Sequence, residues 1–328
     1  MSPDRGIPAG LFMCSTGPDE ILAFLKPDWN QQVALPPAEK LALIDPSLRI
    51  QAVFPWQDQL SKGVEPEALC LSMLKRPAVF LRLRPGHAKT VADKLRAGGI
   101  PFTVVNDTCV AVPAMSDIES HLLPDREMVI QDLNSQRTAE LMREALGHLS
   151  SSPMVWDCCA ASGGKSILCY DQQPGIQLTV SDIRESILAN LAKRFSQAGV
   201  VQYKRFVADL SKPLQRPAEP SYDLVIADVP CSGSGTWSRT PEQLYWFREE
   251  LIEPFSRRQQ QIVDNAIDYL KPGGYFIYIT CSVFSRENED IASHILRSGK
   301  MELRSMQLYP GYAQRADSLF GALFYKPL

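Results

Sequence analysis

From about Asp125 onward the chain alternates short apolar runs with amphipathic stretches. The runs MVWDCCA (154–160), IQLTVSD (176–182), YDLVIADVP (222–230) and YFIYITCS (275–282) are apolar at nearly every position, the pattern of parallel strands buried on both faces. Between them, Glu185–Ala198 and Glu249–Leu270 carry apolar residues at helical spacing, and the second helix is expected to stop at Lys271-Pro272-Gly273-Gly274. Strand following helix in this way argues for an α/β fold, a doubly wound and mostly parallel sheet with its ligands at the carboxyl ends of the strands. Two further apolar segments, Met301–Tyr309 and Ser318–Tyr325, suit an antiparallel hairpin on the edge of that sheet.

Upstream the pattern differs. Val79–Leu83, Phe102–Val105 and Cys109–Val112 read as strands, Ala88–Ala97 as a helix, and Gly98-Gly99 as its end, which makes a small α/β unit. Residues 1–66 hold many prolines and short helix-like pieces without identifiable chemistry. The expected division is therefore a mostly helical extension (1–66), a small α/β unit (67–124) and a large α/β domain (125–328). No repeat or low-complexity tract is present, and no stretch approaches the length of a membrane span.

Composition changes this picture little: 45% of residues are apolar and 22% charged, as in an ordinary globular chain. The net charge of -3 offers no bulk attraction for a polyanion, so a nucleic-acid partner would need a local basic patch. One candidate lies in the small unit, where Lys75, Arg76, Arg82, Arg84, Lys89, Lys94 and Arg96 stand against Asp93 alone. It reads as a solvated face or as an RNA-contacting surface. The eight cysteines are an even number, but the chain is large and its first residues lack a leader's basic start and apolar run. Reduced thiols in the cytoplasm or another reducing compartment are expected.

Asp157 to Lys165 follows a strand and opens a helix. The small residues Ala160, Ala161, Ser162, Gly163 and Gly164 let the backbone approach a ligand, and the helix start offers free N–H groups. The segment is neither G-x-G-x-x-G nor a phosphate loop, which speaks against dinucleotides and nucleoside triphosphates. Asp182 ends the next strand, where a carboxylate can accept ribose hydroxyls, and Asp209 follows Phe206-Val207-Ala208, where one can accept an adenine amino group. Each has a local alternative as a loop residue or helix cap. Two cysteines complete the edge: Cys231, three residues after Asp228, and Cys281 in Thr280-Cys281-Ser282.

DVPCSGSGTW (228–237) and TCSVFSRENED (280–290) resemble the RNA cytosine-5 methyltransferase family typified by the RsmB, Nop and NSUN proteins. PEQLYW, Gln259-Gln260-Gln261, LKPGG and VIQDLNSQ (129–136) are similar to it as well, so that the likeness covers roughly residues 126–328. The small basic unit is similar to the RNA-binding subdomain that often precedes the catalytic domain. Ser162 departs from the family's usual proline, and Ser318-Leu319-Phe320 from its Gly-Phe-Phe.

The resemblance implies a Rossmann-like class I methyltransferase domain that uses S-adenosyl-L-methionine and acts on RNA, ribosomal RNA first and transfer RNA second. It implies Cys281 as the nucleophile that adds to carbon 6 of cytosine, Cys231 as the thiol that aids release, and Asp228 at the base's N3 and amino edge and by the cofactor. Cys159 to Lys165 would line the methionine part of the cofactor, Asp182 its ribose and Asp209 its adenine. A free thiol ionises near about 8.5, so Cys281 needs help, and Lys165 is a local positive charge. After Cys231, aromatics interleave with arginines; Arg239 is expected to contact RNA and Trp246 to pack in the core.

Three other readings compete. A metal held by Cys158, Cys159, Cys231 and Cys281 is disfavoured, because no C-x-x-C pair exists and adjacent cysteines on a strand face opposite ways. A DNA cytosine methyltransferase would use the Pro-Cys thiol and lack the second one. A non-catalytic RNA-binding assembly factor would have no need of Asp228, Cys231 and Cys281 together. The chain is expected to act as a monomer, with no membrane and no structural metal.

Overall fold

The computed structural model describes residues 3–214 and 221–328. Two sheets organise it. The smaller contains β1 (Val79–Leu83), β2 (Thr103–Asn106), β3 (Cys109–Val112) and β4 (Met128–Ile130) in the order β2-β3-β1-β4, its pairings antiparallel. Its fourth strand is drawn from beyond residue 124. Helix Ala88–Ala97 covers one face and buries Val91 and Leu95 against Leu81, Val110 and Met128.

The larger sheet holds β5 (Met154–Asp157), β6 (Gln177–Asp182), β7 (Tyr203–Val207), β8 (Tyr222–Asp228), β9 (Leu270–Thr280), β10 (Glu302–Tyr309) and β11 (Leu319–Tyr325). Their order is β10-β11-β9-β8-β5-β6-β7. The five strands β7, β6, β5, β8 and β9 are parallel, and the β10–β11 hairpin closes the edge antiparallel to β9, as the sequence pattern anticipates. Both faces of the sheet are covered. Helices Ala139–Leu146, Gly164–Gln172 and Glu185–Ala198 bury Met142, Ile167, Leu191 and Phe195 on one side. Helices Ile252–Ile267 and Glu289–Arg297 bury Val263, Ala266, Ile291 and Ile295 on the other. The chain runs from β5 outward to β7 and then returns to β8 on β5's other side. Strand order therefore reverses between β5 and β8, and a crevice opens there at the carboxyl ends.

One helix boundary differs from expectation. The helix ends at Ile267, and Lys271-Pro272-Gly273-Gly274 lies within β9 rather than capping the helix. Leu270 already pairs with Tyr222, and the register resumes only at Tyr275 opposite Leu224, so the intervening residues bulge. Gly273 accommodates the bulge at φ +77°, and its N–H donates to the Lys326 carbonyl.

The seam between the sheets is ionic. Arg82 lies in β1 and Arg84 just past its end, and both guanidinium groups meet the Asp171 carboxylate of helix Gly164–Gln172, Arg84 at 2.6 Å. Three more cations of the basic run have carboxylate partners: Lys94 meets Glu127, and Lys89 and Arg96 share Asp93. Two carboxylates distant in sequence, Asp171 and Glu127, thus offset part of the basic run, while Lys75 and Arg76 are exposed.

Pro27 and Pro37 start helices, where their fixed φ suits the first turn and their missing N–H costs nothing, whereas Pro8 lies inside helix Pro3–Cys14. The following segment joins the large domain's core. Phe54, fully buried, meets Trp237 and Phe284 at ring-centroid distances of 5.8 and 5.6 Å, and Trp56 meets Phe247 at 5.0 Å. Ser61 donates to Glu289 at 2.9 Å and accepts from Asn288 at 2.8 Å. These contacts support the loops that follow Cys231 and Cys281. Truncating such a ring leaves a cavity as well as losing apolar burial. Phe54→Ala is expected to cost about 3–5 kcal/mol of stability, measured as a lowered urea midpoint.

Candidate active site

The crevice at the reversal point is a cleft of about 580 Å³, within the range of small-molecule sites. Its walls include Cys159 and Ala161 after β5, Asp182 to Arg184 after β6, Ala208 to Ser211 after β7, and Asp228 to Pro230 after β8. Among the residues singled out from sequence, Cys159, Ala161, Asp182, Asp209 and Asp228 line it. Ala160 is buried, and Ser162 turns to Arg194, whose guanidinium reaches its hydroxyl at 2.8 Å. Gly163 caps the following helix at φ +86°, where a Cβ would stand 2.6 Å from Phe195, so only glycine fits. Gly164 opens that helix.

The turn is held from β6. Ala161 sits at φ 45°, an uncommon conformation for a residue with a Cβ, and its N–H donates to Asp182 Oδ2 at 3.0 Å. Asp182 Oδ1 also accepts from the backbone N–H and side-chain Nε of Arg184, both at 3.0 Å. Its carboxylate therefore braces two loops while facing the cleft. Asp209 accepts from the backbone and hydroxyl of Ser211, and chiefly this hydroxyl bond holds its pKa below the usual value. Both acids thus brace local turns and also line the cleft. Arg184 and Arg258 also line the cleft; Arg258 belongs to the arginines that follow Cys231, whereas sequence reasoning passed over Arg184, only two residues from Asp182.

Beside the cleft, Lys165 is 8% exposed and bridges Ser135 Oγ at 2.8 Å and Asp228 Oδ2 at 2.9 Å. Ser135 belongs to the VIQDLNSQ segment, where no role had been given to it. Asp228 ends β8, and Cys231 follows it into the loop. Cys281 follows the end of β9, its Sγ 3.4 Å from that of Cys231. Cys231 and Cys281 are both intermediate in exposure. The loop reaches this position through Gly235, whose N–H donates to the Cys281 carbonyl and whose own carbonyl accepts from Ser318, each at 2.9 Å. A Cβ on Gly235 would lie 2.0 Å from the Ser318 oxygen.

The expectation for Trp246 is overturned, and Arg239 is found to have protein partners. Arg239 does not present itself as a free RNA contact: its guanidinium donates to Asp317 at 2.7 Å, to Asp132 at 2.8 Å and to the Ala78 carbonyl at 3.1 Å. Burial, with Asp132 nearby, pushes the Asp317 carboxyl up to about 6 despite this partner. Trp246 is not in the core: it is 68% exposed, and Phe247 turns inward instead. Helix Pro241–Trp246 is too short to fix which of two adjacent aromatics faces the protein, and Trp56, Trp237 and Phe284 select Phe247.

Of the cysteines considered for a metal, Cys158 is buried and, with Cys159, lines the cleft just after β5. Among the described residues, no group of three or more His, Cys, Asp or Glu side chains is arranged to hold a metal ion.

Residues 146–318 match the family described as 16S rRNA methyltransferase RsmB/F, which is more than half of the chain. The chain belongs to that family. Ribosomal RNA small subunit methyltransferase B of Xylella fastidiosa is 30% identical over 232 residues, 69% of this chain and 54% of that protein. The same-named protein of Citrobacter koseri is 27% identical over 285 residues, 82% of this chain and 64% of that one. The chain thus spans about half to two-thirds of the length of these relatives. Among solved structures, a methyltransferase homolog protein from Pyrococcus horikoshii aligns with a TM-score of 0.67 at 19% identity, covering 82% of this chain and 92% of that one. NSun6 from Pyrococcus horikoshii, solved with SFG, aligns with a TM-score of 0.67 at 15% identity, covering 84% and 96%. These likenesses agree with the Rossmann-like methyltransferase fold.

One buried acid near the site has a measurable consequence. Asp157 ends β5 with no exposed surface; Ser166 donates to Oδ2 at 2.6 Å while Oδ1 has no partner, and burial pushes its pKa up to about 7. A carboxyl whose folded pKa exceeds its unfolded one, about 3.9, binds more protons in the native state, so stability falls as pH rises from about 4 to about 7. Asp157→Asn is expected to remove that loss, on the order of 3 kcal/mol, as seen by comparing urea denaturation at pH 5 and pH 8 for both proteins.

Proposed function

We propose that this protein transfers a methyl group from S-adenosyl-L-methionine to carbon 5 of a cytosine in RNA, with ribosomal RNA the first substrate class and transfer RNA the second. The observation that carries the reading is the pair of half-buried cysteines whose sulfurs lie 3.4 Å apart, beside a cleft that also receives Asp228. Membership of an rRNA methyltransferase family supports the RNA substrate.

The cleft suits the cofactor in size and in chemistry. Asp182 and Asp209 place carboxylates on its wall for hydroxyl and amino donors, and the 159–165 turn, with Asp228 at its far side, suits the methionine end. When bound, the cofactor supplies an electrophilic methyl group.

Carbon 5 of cytosine is a weak nucleophile. The Cys281 thiolate adds to carbon 6, and the electrons of the 5,6 double bond then make carbon 5 nucleophilic. Asp228, steadied by Lys165, faces the N3 and amino edge, where charge develops on addition. After the methyl group is in place, the carbon 5 proton leaves, the ring double bond re-forms and the Cys281–carbon 6 bond breaks. Cys231, next to Cys281, serves this last step. The target base must leave its stack to reach the thiols.

Cys281→Ala should lower methyl transfer to RNA below detection. Cys231→Ala should instead accumulate a protein–RNA adduct that survives a denaturing gel; free turnover of that variant without an adduct would reverse the roles given to the two thiols. Bisulfite mapping of total RNA from cells with and without the gene distinguishes ribosomal from transfer RNA.

A further inference from the structure

Behind the two thiols lies a sealed polar cluster that the methyl-transfer steps do not use. Glu287 has no exposed surface, and its carboxylate accepts from the Ser232 backbone N–H at 2.9 Å and the Ser232 hydroxyl at 2.7 Å. The hydroxyls of Ser232, Ser234 and Ser282 lie 3.1–3.3 Å apart. On the other side of Cys231, the Pro230 carbonyl accepts from the buried Gln259 at 3.0 Å. Both chain neighbours of Cys231 are therefore tied to buried side chains, one of which is an acid.

We infer that Glu287 is a positioning residue that sets the division of labour between the cysteines: through its bonds to Ser232 it fixes Cys231 beside Cys281, and its buried carboxylate disfavours a thiolate on Cys231. This rests on the two-thiol reading above. The physical reason is that a second negative charge close to a buried carboxylate is disfavoured, whereas a thiol there is not. The groups facing Cys231 are the Cys281 thiol, Glu287, the Gly233 N–H and the Tyr278 phenol, which donates to the Glu287 carbonyl at 2.6 Å. The hydrogen bond to Cys281, then burial, then the charges of Cys281 and Glu287 raise the Cys231 pKa, and the Gly233 N–H opposes them. Burial pushes the Glu287 carboxyl up as well, while bonds from Ser282, Ser232 and Gln259 pull it back. That donor set suits an ionised acceptor.

The test is alkylation of the full-length protein with iodoacetamide between pH 6 and 10, each cysteine quantified by peptide mass spectrometry. In the unmodified protein, Cys281 should react about tenfold faster than Cys231 near neutral pH, one pKa unit being a factor of ten in thiolate. Glu287→Gln should accelerate Cys231, narrow the ratio to about threefold or less and shift the Cys231 profile to lower pH. Circular dichroism and thermal melting establish that the variant is folded. Tyr278→Phe, which deletes a hydrogen bond to the same residue without changing charge, should leave the ratio as it was. If the Gln variant does not fold, Glu287→Asp draws the charge back and should narrow the ratio to a smaller extent. Faster alkylation of Cys231 in the unmodified protein, or a folded Glu287 variant with unaltered ratio and pH profile, overturns the inference. The assay uses neither RNA nor methyl donor, so its failure is separate from a failed adduct test.

Discussion

The parallel pairing of β8 with β9 is the constraint on which the site depends. Asp228 lies opposite Ile279 in that pairing, so the chain leaves both strands at the same level and on the same edge. A thiol three residues beyond Asp228 and another just past Thr280 can then meet without long loops. A slip of two residues would preserve the buried faces and still carry the sulfurs apart by more than their present separation. Register is defended by apolar packing on both sides of the sheet, with Ile226 and Ile277 in one core and Val225 and Phe276 in the other. The same arrangement opens the adjoining crevice between β5 and β8, which brings a ligand wall and a pair of nucleophilic sulfurs to one edge.

Much of this was legible in the chain. Strands buried on both faces show as continuous apolar runs, and Glu185–Ala198 and Ala88–Ala97 have the bounds their periodicity suggests. The β10–β11 hairpin was visible for the same reason. Cys231 and Cys281 could be placed on one edge because each follows an apolar run. The bulge at Lys271–Gly274 was not visible, because Pro-Gly-Gly after a helix signals an end and gives no sign that the next strand has already begun at Leu270.

What escaped the sequence reading depends on partners remote along the chain. Arg82 and Arg84 look like surface cations until Asp171 is placed against them, and Arg239 looks free until Asp132 and Asp317 converge on it. Local charge counts cannot register these neutralisations. Trp246 and Phe247 are equally apolar in the sequence, and only the aromatic cluster built by Phe54, Trp56 and Trp237 chooses between them. Glu287 escaped for the opposite reason. An acid inside Arg-Glu-Asn-Glu-Asp reads as a solvated residue, although the fold buries it completely.

Gly235 shows how little freedom this edge retains. The atoms a side chain would strike there are main-chain atoms of Ser318 and Cys281, so no rotamer change nearby can make room. A larger residue would have to push apart the chain segments that follow β8 and β9 and precede β11. Second-site suppressors of such a change should therefore be scarce among side-chain replacements. They would have to come from altered loop length, because only moving the backbone itself could relieve the overlap.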